Sequence, residues 1–187
     1  MSVQRRREDW KIEVIDGKKI VAMSPAFSNH NTVKYNISTI FGVYLESSLC
    51  MGMPDDTKVV LDDSSYVEPD FFVVCDRGKI KKDGVHGAPD LVVEVLSPST
   101  AKYDKGAKKD KYQEAGVKEY WLVEPDMKTI EVYLLKNSVY YLKEVYRYPD
   151  PLESKEDQET AITEFNVTTF PELSVTLDRV FKNVFEW

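Results

Sequence analysis

The chain has 187 residues, of which 42% are hydrophobic and 30% are charged, and this balance predicts one soluble globular domain rather than a disordered or fibrous chain. Its formal net charge of -7 argues against nucleic-acid attraction over the whole surface, and no uncharged apolar run approaches the ~20 residues of a bilayer span. We therefore expect a cytoplasmic protein without a membrane segment. Cys50 and Cys75 form no CxxC pair and are expected to be reduced core residues.

The N-terminal part of the chain predicts a hairpin followed by a long helix. Trp10 to Ile15 and Lys19 to Met23 alternate in character and are joined around Asp16-Gly17, a dipeptide that suits a tight turn. Ser28 or Asn29 can cap the helix that follows. The apolar residues of this helix recur at helical spacing and are Val33, Ile37, Ile40, Phe41, Tyr44 and Leu45.

The remainder of the chain mixes strands with two shorter helices. One helix is predicted from about Tyr103 to Ala115 and ends at Gly116, and a short final helix includes Leu177 and Phe185. An exposed loop is expected from Pro149 to Glu159. The predicted strands are Thr57 to Leu61, Tyr66 to Cys75, Leu91 to Leu96, Lys118 to Val123, Thr129 to Leu135 and Tyr140 to Tyr146. This order predicts a single mixed α/β domain over residues 1–187, with a central mixed sheet flanked by helices.

Glu94 raises the first chemical question, because it lies inside the apolar strand LVVEVL. An ionised carboxylate in such a place is costly unless a cation or hydrogen-bond donors accompany it. Asp70, in VEPDFFVV, stands at the start of another apolar run. Two carboxylates on adjacent strands could hold Mg²⁺, a hard cation that takes oxygen ligands. A metal-free ion pair between Glu94 and a lysine satisfies the same pattern, so both interpretations stay open.

The helix after this strand supplies the candidate lysine. Lys108 shares one helix face with Tyr112 and Ala115, and that face is expected to pack on the sheet. Lys108 is therefore predicted to reach Glu94, where it would orient the attacking water or offset charge on a phosphate. Lys111, turned by about 60° on the helix, is the alternative.

Together these residues resemble the PD-(D/E)XK, or restriction-endonuclease-like, nuclease superfamily. Within it, the closer resemblance is to a large bacterial group of nucleases whose biological role is largely unknown. It is carried by VIDGKKIVAMSP, VEPDFFVV, GAPDLVVEVLSPST, DKGAKKDKY, GVKEYWLVEP and FPELSVTLDRVF. The resemblance implies that Asp70 is the PD aspartate and Glu94 the following acid. Leu96 stands where the superfamily places its lysine, and in the nearest group that lysine has moved to the next helix, which implies Lys108.

The resemblance also implies a function. A metal-dependent endonuclease would hydrolyse DNA phosphodiester bonds, with Asp70, Glu94 and the main-chain carbonyl of Val95 as ligands of Mg²⁺ or Mn²⁺. The basic loop from Arg77 to Lys82 and the lysine-rich helix would position the phosphate backbone. The alternative function is a non-catalytic nucleic-acid-binding or protein-interaction module that retains the nuclease fold.

Several further residues have two interpretations each. His30 is placed either near the site or at a helix cap, Glu46 either near the metal or on the surface, and Asp90 either in the site or at the end of a loop. A homodimer is one expected assembly, because nucleases that cut both strands often pair two sites. The aromatic residues that would either cover such an interface or close the monomer's core are Phe181, Phe185 and Trp187.

Overall fold

The computed structural model describes residues 10–23, 28–149 and 152–186. The strands are β1 (Trp10–Ile15), β2 (Lys18–Met23), β3 (Met51–Pro54), β4 (Val59–Asp62), β5 (Ser65–Val67), β6 (Phe71–Val74), β7 (Ile80–Lys81), β8 (Gly84–His86), β9 (Leu91–Val95), β10 (Glu119–Glu124), β11 (Thr129–Lys136), β12 (Val139–Tyr146), β13 (Glu164–Asn166) and β14 (Ser174–Thr176). The helices are α1 (Ser28–Leu45), α2 (Ala101–Tyr103), α3 (Lys109–Ala115), α4 (Lys155–Glu159) and α5 (Leu177–Val180). A π-helical segment (Asp104–Lys108) joins α2 to α3, and a 3-10 turn (Arg77–Lys79) precedes β7.

The described residues form two six-stranded sheets and one two-stranded sheet. The central sheet has the order β12-β11-β10-β9-β6-β3, in which β9 and β10 are parallel and the other neighbours are antiparallel. The hairpin sheet has the order β2-β1-β5-β4-β8-β7, with β4 parallel to β8. The predicted mixed fold with an N-terminal hairpin is confirmed.

The central sheet is covered on both faces, which explains why β6 and β9 are apolar runs without alternation. On one face α1 packs its predicted apolar residues against Val93, Val95 and Trp121. On the other face lie α3 and the hairpin sheet, with Val92 and Tyr112 among the buried residues. Because successive side chains of a strand alternate between faces, Glu94 shares the face of Val92 and is directed toward α3.

The C-terminal aromatic residues are divided between core and surface. Phe181 belongs to the core with 5% of its surface exposed, whereas Phe185 is 57% exposed. Trp187 lies outside the described residues. Phe181 therefore closes the monomer, and the homodimer stays a prediction that size-exclusion chromatography with light scattering would test.

The structure corrects the predicted strand from Tyr66 to Cys75. That run is divided between β5 and β6, which belong to different sheets, and Pro69 lies in the break. A proline cannot donate to a sheet ladder, so the chain leaves one sheet before it enters the other. The predicted loop from Pro149 to Glu159 is also corrected, since it contains α4.

The second predicted helix is present but interrupted. It begins two residues earlier than expected, at Ala101, and non-helical angles at Gly106 divide it (φ -119°, ψ -107°). Gly116 ends it in the left-handed conformation (φ 93°), as predicted. None of the helices built from the described residues is long and apolar enough to cross a membrane.

Cys50 and Cys75 form a disulfide, so the expectation of reduced core thiols is wrong. Met51 pairs with Val74 across the antiparallel strands β3 and β6, which places the two cysteines opposite each other at the next position. This pairing depends on the register of two strands, and the 25-residue separation in sequence did not suggest it.

Loss of this disulfide is expected to lower the free energy of unfolding by about 3 kcal/mol, because the bond closes a loop of 25 residues in the unfolded chain. Urea denaturation of the parent and of the double variant Cys50→Ser/Cys75→Ser, each with and without dithiothreitol, measures the difference. Dithiothreitol should lower the urea midpoint of the parent and leave that of the double variant unchanged. If dithiothreitol leaves the urea midpoint of the parent unchanged, the disulfide contributes nothing to stability.

Candidate active site

Asp70 directly precedes β6, and Glu94 lies on the adjoining strand β9, at the buried centre of the molecule. Phe71 is opposite Val93 in the antiparallel pair of β6 and β9, so the residue before β6 reaches the end of β9. The Val95 N–H donates to Asp70 Oδ2 at 2.8 Å. Asp70 is 7% exposed and Glu94 is 2% exposed. The sheet register therefore brings the two predicted carboxylates to one place and fixes one of them through Val95.

Lys108 contacts Glu94 directly. Its Nζ lies 2.7 Å from Glu94 Oε1, 3.0 Å from Glu13 Oε1 and 3.3 Å from Asp104 Oδ1. The Tyr112 hydroxyl, one helical turn further on, donates to the same Glu94 oxygen at 2.6 Å. With 3% of its surface exposed, Lys108 is a buried ammonium group surrounded by three carboxylates.

Lys111, the alternative lysine, points elsewhere. Its Nζ lies 2.7 Å from Asp16 Oδ1 and 2.8 Å from Asp62 Oδ2, so it fastens α3 to the hairpin sheet. Of the two candidate lysines, the structure places Lys108 beside Glu94.

A second group of side chains lies on the other side of Asp70. His30 Nε2 is 3.3 Å from Asp70 Oδ2, and Lys34, one turn along α1, has its Nζ 3.7 Å from Asp70 Oδ1. Lys34 also pairs with Asp55, and Lys11 on β1 reaches the same carboxylate at 3.0 Å. His30 therefore contacts a predicted site residue.

The pKa of Asp70 lies well below the usual range. Burial alone would raise it, but the hydrogen bond and charge of His30, together with Lys11 and Lys34, favour the ionised form more strongly. Asp70 is therefore an anion at neutral pH and is available as an oxygen ligand.

The pKa of Glu94 is shifted in the opposite direction. Burial raises it to about 8, Lys108 opposes this shift, and Asp104, Asp70 and Glu13 add to it. Burial would lower the pKa of Lys108, but its acidic neighbours raise it well above the usual value. Burial is thus the main cause of the shift of Glu94, whereas the acidic neighbours cause the shift of Lys108. Lys108 keeps its proton, and Glu94 also holds its proton up to a pH of about 8.

The charges of this buried cluster are not balanced among the described residues. Its carboxylates are Glu13, Asp55, Asp70, Glu94 and Asp104, and its lysines are Lys11, Lys34 and Lys108. The five carboxyl groups outnumber the three lysines by two, and a bound cation would offset this excess when Glu94 releases its proton. The oxygen-rich donor set suits a hard cation such as Mg²⁺ or Mn²⁺.

Asp70 and Glu94 would be the side-chain ligands of such a cation. Among the described residues, no three His, Cys, Asp or Glu side chains converge as a ready-made metal cluster. A cation held by Asp70, Glu94 and one main-chain carbonyl would keep several waters, as Mg²⁺ does in proteins. Lys108 and Tyr112 both bind Glu94 through Oε1, which leaves its second oxygen outside these contacts.

A cavity of about 510 Å³ lies beside the cluster. His30 links the two, because it lines the cavity and contacts Asp70. Ser97 and Pro98, which follow β9, form another part of the cavity wall. Asp70 and Glu94 do not line this cavity, and His30 separates it from Asp70.

Two other candidate residues have ordinary structural roles. Asp90 accepts hydrogen bonds from the Cys75 N–H at 2.8 Å and from Lys118 Nζ at 2.7 Å, so it closes the loop before β9. Glu46 is exposed just beyond the end of α1, as its surface interpretation predicts.

Sequence reasoning missed the contribution of the hairpin. Lys11 and Glu13 alternate with apolar residues of β1, a pattern typical of polar residues that face solvent, yet Glu13 is 3% exposed and Ile12 is 40% exposed. The Glu68 N–H donates to Glu13 at 2.8 Å, close to Asp70 in the chain. A hairpin that turns its charged face inward breaks the usual pattern, and such breaks concentrate at functional sites.

The fold and this cluster place the chain in the restriction-endonuclease-like class of nuclease folds. Residues 2–168 match the model of the Uma2 family, described as "Putative restriction endonuclease", and the chain belongs to this family. The fold is similar to the crystal structure of "a putative nuclease belonging to DUF820" from Anabaena variabilis ATCC 29413. The TM-score is 0.69 at 20% identity, over 97% of this chain and 94% of the other.

Two relatives come from Synechocystis sp. (strain ATCC 27184 / PCC 6803 / Kazusa). "Uncharacterized protein slr1290" is 34% identical over 154 residues, which cover 81% of this chain and 80% of the relative. "Uncharacterized protein sll1609" is 28% identical over 127 residues, covering 66% and 71%. The predicted membership of the restriction-endonuclease-like superfamily is confirmed, and the family supports a nuclease-like function.

Proposed function

We propose that the chain is a metal-dependent endonuclease that hydrolyses DNA phosphodiester bonds. The observation that carries the proposal is the pair Asp70, just before β6, and Glu94, on the adjoining strand β9, inside a buried cluster with more carboxyl groups than lysines. The position of Lys108, 2.7 Å from Glu94, supports the same function.

Asp70, Glu94 and the main-chain carbonyl of Val95 would hold Mg²⁺ or Mn²⁺. Such an ion makes water a better nucleophile at neutral pH and stabilises charge on a phosphate. Neighbouring groups of the chain set the ionisation and the position of these ligands. The Val95 N–H and His30 keep Asp70 ionised and in position. Glu94 holds a proton up to a pH of about 8 and must release it when it serves as a ligand.

Lys108 would offset negative charge at the scissile phosphate or orient the attacking water. Its three carboxylate partners fix the ammonium group beside Glu94, so little reorganisation is needed during the reaction. The exposed side chains of Arg77, Lys81 and Lys82 would add phosphate contacts.

The second candidate function is a non-catalytic nucleic-acid-binding or protein-interaction module. The observation that favours it is the complete ion pairing of Lys108, since a buried network of this kind satisfies Glu94 without a metal. In such a module Asp70 and Glu94 would contribute only to folding.

Cleavage of supercoiled and single-stranded DNA in Mg²⁺ or Mn²⁺ tests the two functions. The parent should nick DNA, EDTA should stop the reaction, and Glu94→Gln or Asp70→Asn should lower the rate by more than about 100-fold, since each removes a ligand. Lys111→Met, on the same helical region but away from Glu94, is the matched control and should retain the activity. Equal nicking by the parent and both site variants would contradict the proposal, because it would show a contaminant.

A further inference from the structure

Lys11 and Lys34 each form an ion pair with a different oxygen of the Asp55 carboxylate. Lys11 Nζ lies 3.0 Å from Asp55 Oδ1, and Lys34 Nζ binds Oδ2 of the same residue. The lysines come from β1 and α1, whereas Asp55 directly follows β3. Two cations that each hold one oxygen of an anion form an arrangement that also fits the two free oxygens of a phosphodiester.

The lysine pair adjoins the proposed metal site. Lys34 Nζ is 3.7 Å from Asp70 Oδ1, so the same ammonium group lies near both Asp55 and Asp70. Successive phosphates of a DNA strand are close neighbours, and a strand with one phosphate at Asp70 would bring the next within reach of the lysines.

Asp55 is the most accessible carboxylate of the cluster. Its side chain is 27% exposed, compared with 10% for Asp70 and 2% for Glu94. The side chains of Lys11 and Lys34 are each 17% exposed, so solvent and solutes reach the pair. Acidic neighbours outweigh burial and raise the pKa of Lys11, which keeps it charged.

We propose that Lys11 and Lys34 form a binding subsite for the backbone phosphate next to the scissile one, and that Asp55 occupies this subsite as an internal counter-ion until DNA replaces it. The inference rests on the proposed function and adds to it a second anchoring point. It also explains why two lysines from different elements meet at the most accessible carboxylate of the cluster.

Binding of a fluorescein-labelled oligonucleotide in EDTA, measured by anisotropy over a range of salt, tests the subsite without cleavage. Lys34→Gln and Lys11→Gln should each weaken binding by about tenfold and reduce the salt slope by about one. Lys136→Gln is the control, because Lys136 is exposed at the end of β11, near the opposite edge of the central sheet from β3. Circular dichroism verifies the folding of each variant.

Asp55→Asn is expected to have the opposite effect on oligonucleotide binding. Removal of the competing charge should tighten oligonucleotide binding by several-fold, and inorganic phosphate at matched ionic strength should raise the Tm of this variant more than that of the parent. If Asp55→Asn does not fold, the affinities and salt slopes of Lys11→Gln and Lys34→Gln test the subsite without it.

The outcomes distinguish this inference from the proposed function. A parent that binds DNA, with lysine variants of unchanged affinity and salt slope, would overturn the subsite and leave the nuclease proposal standing. Weaker binding by folded Asp55→Asn would also overturn it. A parent that binds no DNA even at low salt would contradict both.

Discussion

Replacement of Lys108 by Met is expected to lower the free energy of unfolding by about 3–5 kcal/mol at pH 7. Lys108 is the cation that Glu13, Glu94 and Asp104 share, at 3.0, 2.7 and 3.3 Å. All four residues are almost fully buried, so their charges are shielded little by water. Met has a similar volume, and the loss would therefore report the missing charge rather than a cavity.

Urea denaturation followed by circular dichroism measures this loss, with Lys111→Met as the matched control. The partners of Lys111 include Asp16 and Glu114, whose side chains are 64% and 63% exposed. Removal of pairs with such exposed acids costs about 1 kcal/mol or less. Equal losses in the two variants would contradict a special role of Lys108 in balancing the cluster.

The second large effect concerns pH. The free energy of unfolding of the metal-free parent is expected to fall as the pH rises from about 4.5 to about 8. In this interval folded Glu94 keeps its proton while the unfolded chain releases it, so rising pH favours unfolding by up to about 1.4 kcal/mol per pH unit. Glu94→Gln removes this contribution. Asp104, whose pKa burial also raises, retains its own smaller contribution in the variant.

Urea denaturation at several pH values in EDTA measures the slope for the parent and the variant. Glu119→Gln is the control, since Glu119 is also a buried carboxylate but binds Trp121 and Thr169 outside the cluster. A flat profile for the parent, or the same slope in Glu94→Gln, would show that the fold does not raise the pKa of Glu94.

Much of the candidate site follows from local patterns in the sequence. Glu94 is conspicuous because a single acid interrupts a buried strand, and helical phase alone distinguishes Lys108 from Lys111. The observed distances agree with that distinction. Helical and strand periodicity likewise placed the N-terminal hairpin and α1.

The parts that could not be predicted depend on contacts between distant segments. Glu13 looks like an ordinary outward-facing residue until β1 pairs with β5 and the hairpin sheet covers α3. The disulfide of Cys50 and Cys75 requires the register of β3 against β6. Short strands such as β7 and β8 have too few residues to show any period.

Titration of the protein with Mn²⁺, followed by the electron paramagnetic resonance signal of the free ion, tests the central claim most directly. We expect the parent and Lys111→Met to bind one Mn²⁺ ion per chain, and Asp70→Asn and Glu94→Gln to lose this binding. A parent that binds no Mn²⁺, or site variants that bind it as well as the parent does, would contradict the metal site and favour the non-catalytic module.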